Sequence, residues 1–359
     1  MKALIVKEVG VLELQDIPEP ECRPDEIKVK IAYAGICGTD TVIVEGYFGT
    51  VLKPAGIIGR PKINTPIRDD VRIMGAEMRD GIRILGHEAS GTIVQIGKEI
   101  KGPFKVGQHV AMNYKSTCGA CYYCVNGMPH FCERVSPFSG AMAEYSVYRE
   151  NTVFTLPDNL PLDVGAFLEP LSIAVHSTEL GQIKVGDSVI ITGGGPIGLL
   201  ILQLAIKSGA SKVLVSEPIP EKRKLAKQLG ADVVIDPTKE DLLEKSNALT
   251  DGRGFNVCFE VSGKSSVARQ LILLAEGDGT IVWVATYPPN DVAVPITYMH
   301  SKELTIRNVR PHPHSFPKAL QMLPKLDLKS LITVYPFHEA IRAFEAHKRG
   351  EGIKVMLQL

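Results

Sequence analysis

The chain has 359 residues, 45% of them apolar and 22% charged, a balance that supports an extensive folded core and excludes a disordered or membrane-embedded class. Lys plus Arg and Asp plus Glu each number 40, so no net field draws the protein to nucleic acid or an anionic membrane. "MKALIVKEVG" has too few apolar residues for a signal peptide, and Gln203 interrupts the longest apolar stretch, "IGLLILQLAI". A cytoplasmic protein with neither a nucleic-acid nor a membrane partner is predicted, in whose reducing surroundings the seven cysteines serve metal or catalysis rather than disulfides.

The first chemistry-bearing motif in chain order is "GICGTD", where Cys37, Thr39 and Asp40 set a thiol, a hydroxyl and a carboxylate within four residues at the end of an apolar run. A lone cysteine is ordinarily a small buried hydrophobe. Any chemistry at Cys37 therefore needs partners from elsewhere in the chain.

"CGACYYCVNGMPHFC" holds Cys118, Cys121, Cys124 and Cys132 in the spacing C-x2-C-x2-C-x7-C. Four soft thiolates in one loop can wrap a tetrahedral ion completely, as in closed structural zinc sites. A ferredoxin-type cluster opens with the same spacing but brings its fourth cysteine after three residues and follows it with proline. Here the gap is seven and Glu133 follows, so structural zinc is the reading.

"GDSVIITGGGPIGLLILQLAIKSGASKVLVSE" reads as strand, turn, helix, strand. Val189, Ile190 and Ile191 fit a strand buried on both faces of a parallel sheet. Gly193, Gly195 and Gly198 then form G-x-G-x-x-G, with Pro196 and Ile197 opening a helix whose apolar positions include Leu200, Ile201, Leu204 and Ala205. Such a turn lets a pyrophosphate approach the helix amino terminus. Glu217, at the end of the next strand, can accept from the ribose hydroxyls and repel a 2′-phosphate, which favours NAD, with Lys222 close by. "EKRKLAKQLG" continues as a helix, "ADVVID" and "GFNVCFEVSG" as strands, then a helix from about Ser265 and the strand "TIVWVAT", so a doubly wound sheet is predicted. Cys258 lies within a buried strand and reads as packing.

With these motifs in order, the chain resembles the zinc-dependent medium-chain dehydrogenases, in particular the sorbitol, threonine and butanediol dehydrogenase branch. "GICGTD", "GHEASGTIVQIG", the cysteine lobe, "AEYSV", "LEPLSIAVHS", "GGGPIGLL", "SKELTIRN" and "EAIRAFE" carry the resemblance over nearly the whole length. It implies an α/β protein: a GroES-like, mainly β catalytic domain at 1–153, a Rossmann NAD-binding domain at 154–295, and a return to the catalytic domain at 296–359. The zinc lobe falls at about 112–135 and an insertion at about 42–84.

The resemblance also implies a catalytic zinc on Cys37 and His87, with Glu88 and Glu169 as competing carboxylate ligands, hence two zincs per chain and NAD as cofactor. One thiolate, one imidazole and one carboxylate leave an open position for substrate. Asp40 would fix the His87 ring as an outer acceptor, and Thr39 would stand beside the reacting oxygen. The implied reaction is hydride transfer from a secondary alcohol (polyol, sugar, sugar phosphate or vicinal diol), giving a ketone, in a homotetramer or homodimer. Alternatives are a threonine-type amino-alcohol dehydrogenase, a non-catalytic protein that keeps the fold, and a zinc-ribbon nucleic-acid binder, for which the lobe offers only Lys115 and Arg134 as nearby cations.

Two departures from the family stand out. Val42 occupies the position where many relatives carry a proton-relaying histidine. Cys37 and His87 lie fifty positions apart, about twice the usual spacing, and the excess carries Tyr47, Phe48, Arg60, Arg68 and Arg72. A long insertion between two ligands of one ion reads as an active-site lid, centred on residues 55–80, or as an assembly contact. His176, on a connecting helix, reads as packed, and His312 and His314, between prolines, read as loop residues.

Overall fold

The computed structural model describes residues 1–45, 78–79, 82–135, 140–287 and 292–359. The insertion between Cys37 and His87, with the lid expected there and its Tyr47, Phe48, Arg60, Arg68 and Arg72, lies largely outside the described residues.

One compact unit gathers the described residues up to Pro170 together with His312–Leu359. Its main sheet runs in the order Ile332–Pro336, Lys354–Gln358, Glu26–Gly35, Glu88–Ile96, His109–Met112, Val153–Thr155, with Tyr145–Arg149 also pairing on Glu26–Gly35. Glu26–Gly35 is central because "EIKVKIAYAG" is buried along most of its length and can lose both edges to neighbours. Ile27, Val29, Ile31, Ile93, Met112, Phe344 and Leu357 close the core around it, each such side chain adding roughly 1.5–3 kcal/mol by leaving water.

The register of this sheet builds the site. Gly35 sits opposite Glu88 on one neighbour and opposite Met356 on the other. The chain end that leads into Cys37 therefore lies between the start of the strand carrying His87 and Glu88 and the strand carrying Lys354. The short helix Gly38–Val44 begins immediately after Cys37.

The second unit, Leu171–Pro311, is a six-stranded sheet in the order Val233–Ile235, Lys212–Ser216, Ser188–Thr192, Phe255–Glu260, Ala275–Trp283, Thr305–Asn308. All five pairings are parallel. Helices Pro196–Lys207, Pro220–Gln228, Leu242–Thr250 and Ser265–Leu274 connect the strands, which is the doubly wound arrangement predicted from the alternation. Cys258 is fully buried opposite Ile190 and Ile281, a packing residue.

The units divide at 170/171 and 311/312, where the sequence reading divides the chain at 153/154 and 295/296. Pairing explains the difference. Val153–Thr155 hydrogen-bonds to His109–Met112 in the first sheet, and Thr305–Asn308 extends the second. Among the described residues no helix is long and apolar enough to cross a membrane.

Candidate metal centres and nucleotide turn

The ligand atoms of Cys37, His87 and Glu88 lie within 4.8 Å of one another. Cys37 precedes the first turn of its helix, and Asp40 in that turn reaches back so that Oδ2 accepts from the Cys37 N–H at 2.9 Å. Asp40 Oδ1 accepts from Gly86 N–H at 3.4 Å and faces His87 Nδ1 at 3.5 Å. The expected Asp40–His87 pairing is thus a facing contact, longer than a hydrogen bond, and the direct work of Asp40 is to hold the backbone on either side of the site. Burial pushes the Asp40 carboxyl up, but His87 and the two N–H groups outweigh it and hold it below its ordinary range. For His87 burial acts downward, yet the charges of Asp40 and Cys37 raise the imidazole well above its usual value. Tyr114 stands edge-on to the His87 ring at 5.3 Å. Thr39 lies half-buried in the first turn of the same helix.

Glu88 has a second partner that the sequence does not disclose. Lys354 Nζ donates to both carboxylate oxygens, at 2.7 and 2.5 Å, and to Ile36 O at 3.3 Å. Gly35 is required opposite them, because a Cβ there would run into Glu88 Oε2. Glu169, in the first turn of helix Leu168–Gly181, is buried and falls outside the set of three donors. Burial, opposed by His87 and reinforced by Glu88, pushes its carboxyl up to about 7.

These residues fit a zinc ion. A thiol, an imidazole and a carboxylate converge on one point; the absent side chain at Gly35 leaves room for the carboxylate, which Lys354 holds in place. The second cluster fits as well: the four thiols of Cys118, Cys121, Cys124 and Cys132 also gather within 4.8 Å. Cys132 Sγ accepts from the N–H groups of Cys118 and Arg134 at 3.3 and 3.4 Å. The N–H of Ala120 leads in drawing the Cys118 thiol down to about 6, while burial pushes Cys124 up to about 12. Without a cation the thiols cannot all ionise together, so the set is complete only around a metal.

The nucleotide turn closes the second unit's central strand. Gly193 adopts φ +109°, open to glycine, and Gly195 precedes helix Pro196–Lys207, with Pro196 at its first position and Ile197 next. A Cβ on Gly198 would strike the Gly193 carbonyl, so this glycine permits the helix to lie against the strand. Glu217 accepts from Gly194 N–H at 2.7 Å and Ile219 N–H at 2.9 Å. Arg223 is engaged by the Glu217 carbonyl at 2.7 Å and by Asp236 at 3.1 Å. Lys222 lies half-buried on helix Pro220–Gln228.

A sheet of this topology with a glycine turn at its switch point, joined to a β unit with two metal-ligand clusters, defines a metal-dependent, dinucleotide-linked dehydrogenase. Family models agree: the alcohol dehydrogenase GroES-like domain matches residues 23–158 and the zinc-binding dehydrogenase domain residues 196–325. L-threonine 3-dehydrogenase of Pyrococcus horikoshii is 32% identical over 97% of this chain and 95% of its own length. Sorbitol dehydrogenase of Bacillus subtilis is 27% identical over 99% and 97%. Galactitol-1-phosphate dehydrogenase from Escherichia coli superposes over 100% of both chains with a TM-score of 0.83 at 26% identity. The chain belongs to the zinc-type medium-chain alcohol dehydrogenase family.

Proposed function

We propose that the protein oxidises a secondary alcohol of a polyol, sugar, sugar phosphate or vicinal diol to a ketone, with NAD as hydride acceptor. The observation that carries this reading is the convergence of Cys37, His87 and Glu88 within 4.8 Å. These three would hold the catalytic zinc, with His87 binding through Nε2 because Nδ1 faces Asp40. Zinc bound there supplies a Lewis acid for the substrate oxygen, and the nicotinamide supplies the hydride acceptor. Asp40 fixes the Cys37 backbone and keeps the imidazole oriented. Lys354 neutralises part of the Glu88 charge and limits how far that carboxylate can swing. The Thr39 hydroxyl would accept the substrate's hydroxyl proton while passing its own to water, which completes the relay because Val42 offers no titratable group. Cys118, Cys121, Cys124 and Cys132 hold the structural zinc.

NAD is preferred because Glu217 meets the ribose hydroxyls with its remaining lone pairs. Arg223, which could otherwise bind a 2′-phosphate, is occupied by Asp236 and the Glu217 carbonyl. The threonine 3-dehydrogenase relative favours a second reading, an amino-alcohol substrate. NAD-dependent turnover measured across polyols, their phosphates, diols and L-threonine decides between them. Turnover of the amino alcohol alone would select the second reading, and no turnover with any alcohol would refute both.

A further inference from the structure

One polar cluster on the second unit lies outside the residues that the metal centres and the glycine turn employ. Glu260 ends strand Phe255–Glu260 and is fully buried, opposite Thr192 on one neighbouring strand and Trp283 on the other. Its oxygens accept from Ser262 N–H at 2.8 Å, Gly263 N–H at 3.2 Å, the Ser262 hydroxyl, and the Tyr287 hydroxyl at 2.5 Å. Four donors on one buried carboxylate make a rigid knot. It also reaches its surroundings: Val261 N–H donates to Thr192 O and Val284 N–H to Glu260 O, both at 2.9 Å. A Cβ on Gly193 would come within 3.1 Å of Ser262 N, so the knot abuts the first glycine of the nucleotide turn.

The knot latches an aromatic ring. Tyr287 follows strand Ala275–Trp283, its hydroxyl is turned inward to Glu260, and its ring is half-buried and edge-on to Trp283 at 6.2 Å. Burial and the Glu260 charge keep the phenol well above its ordinary range, so it remains a donor. Ligands of open parallel sheets bind at the carboxyl ends of the strands, on both sides of the switch point. Here that point lies between Ser188–Thr192 and Phe255–Glu260. Glu217 stands on one side, with the adenosine half. Glu260 and Tyr287 stand on the other.

Resting on the proposed use of a dinucleotide, we infer that Tyr287, latched by Glu260, is a positioning residue for the nicotinamide half of the cofactor. The ring offers a flat wall against which the nicotinamide riboside packs, and the latch removes the ring's freedom before the cofactor arrives.

Calorimetry with NAD and with ADP-ribose, which lacks the nicotinamide, tests this directly. Tyr287→Ala should weaken NAD binding about tenfold, the size of one aromatic contact, while ADP-ribose binding changes less than about twofold. Tyr287→Phe keeps the ring and removes the latch, so it should weaken NAD about threefold with ADP-ribose again unchanged. Trp283 is the single tryptophan of the chain, and its quenching by NADH gives an independent titration. If the ratio of the two dissociation constants equals that of the parent protein in either variant, the inference is overturned, whether both affinities hold or both fall together. If the parent protein binds neither ligand, the dinucleotide reading itself fails.

Discussion

Lys354 and Glu88, 266 positions apart, form a buried ion pair with both carboxylate oxygens within 2.7 Å of one ammonium, and the two residues are 3% and 2% exposed. The pair arises because Gly35 lies between their strands and contributes no side chain. Removing one partner of such a pair leaves an uncompensated buried charge, a loss of about 3–5 kcal/mol, whereas removing both can be close to neutral. Lys354→Met should therefore destabilise the metal-free protein by that amount in urea unfolding, and adding Glu88→Gln should restore most of it. Additive losses in the double variant would show that the two side chains act independently.

The two cysteine-containing clusters should respond differently to loss of a thiol. A structural zinc contributes its binding free energy to folding, so Cys118→Ser should lower Tm and release one of two zincs per chain. Cys37→Ser should release the other and abolish turnover while Tm in chelator stays near that of the parent. Metal analysis giving one zinc in the unmodified protein, or iron with sulfide, would contradict the assignment of the clusters.

Local motifs were legible and long-range partners were not. The glycine turn reads directly because Gly193, Gly195 and Gly198 are held to their spacing by one turn and one helix start. The four thiols read equally well, lying within fifteen residues. Lys354 carries no such mark. It opens "KVMLQ", an ordinary final strand, and its role exists only through the pairing of that strand with Glu26–Gly35. Strand Thr305–Asn308 was hidden for a similar reason: its residues range from half-buried to exposed, so "TIRN" has no alternation that separates a strand from a loop. Glu260 did have a local signal, a charged residue ending the buried run "NVCF", but its meaning depends on Tyr287 beyond the next strand.

Cofactor choice should follow Glu217 and Arg223 together. Glu217→Ser alone removes the group that repels a phosphate, yet leaves Arg223 tied to Asp236. The kcat/KM preference for NAD over NADP should shrink by about tenfold, the scale of one charge-assisted hydrogen bond. Adding Asp236→Asn should free the guanidinium and shrink the preference further, since an unpaired Arg binds phosphate well. Equal use of both cofactors by the unmodified protein would refute the role given to Glu217.

Glu169 titrates near 7 in the folded chain because burial outweighs the attraction of His87, while an unfolded glutamate titrates at about 4.5. Between those values the folded protein binds more protons than the unfolded one, so this carboxyl makes stability fall as pH rises, and its full cost is present above 7. His87 acts in the same sense: raised well above its ordinary value, it stabilises fully below 6.5 and loses that contribution as pH climbs through its folded value. Asp40, lowered, contributes above its unfolded value of 3.8 and loses it only in stronger acid. The comparison that isolates Glu169 is metal-free parent against metal-free Glu169→Gln. The parent should lose stability relative to the variant between about pH 4.5 and 7, by on the order of 3 kcal/mol for a shift of this size. Parallel urea midpoints across that range would mean that Glu169 ionises at its ordinary pH in the folded protein, with water or a neighbouring group solvating its charge.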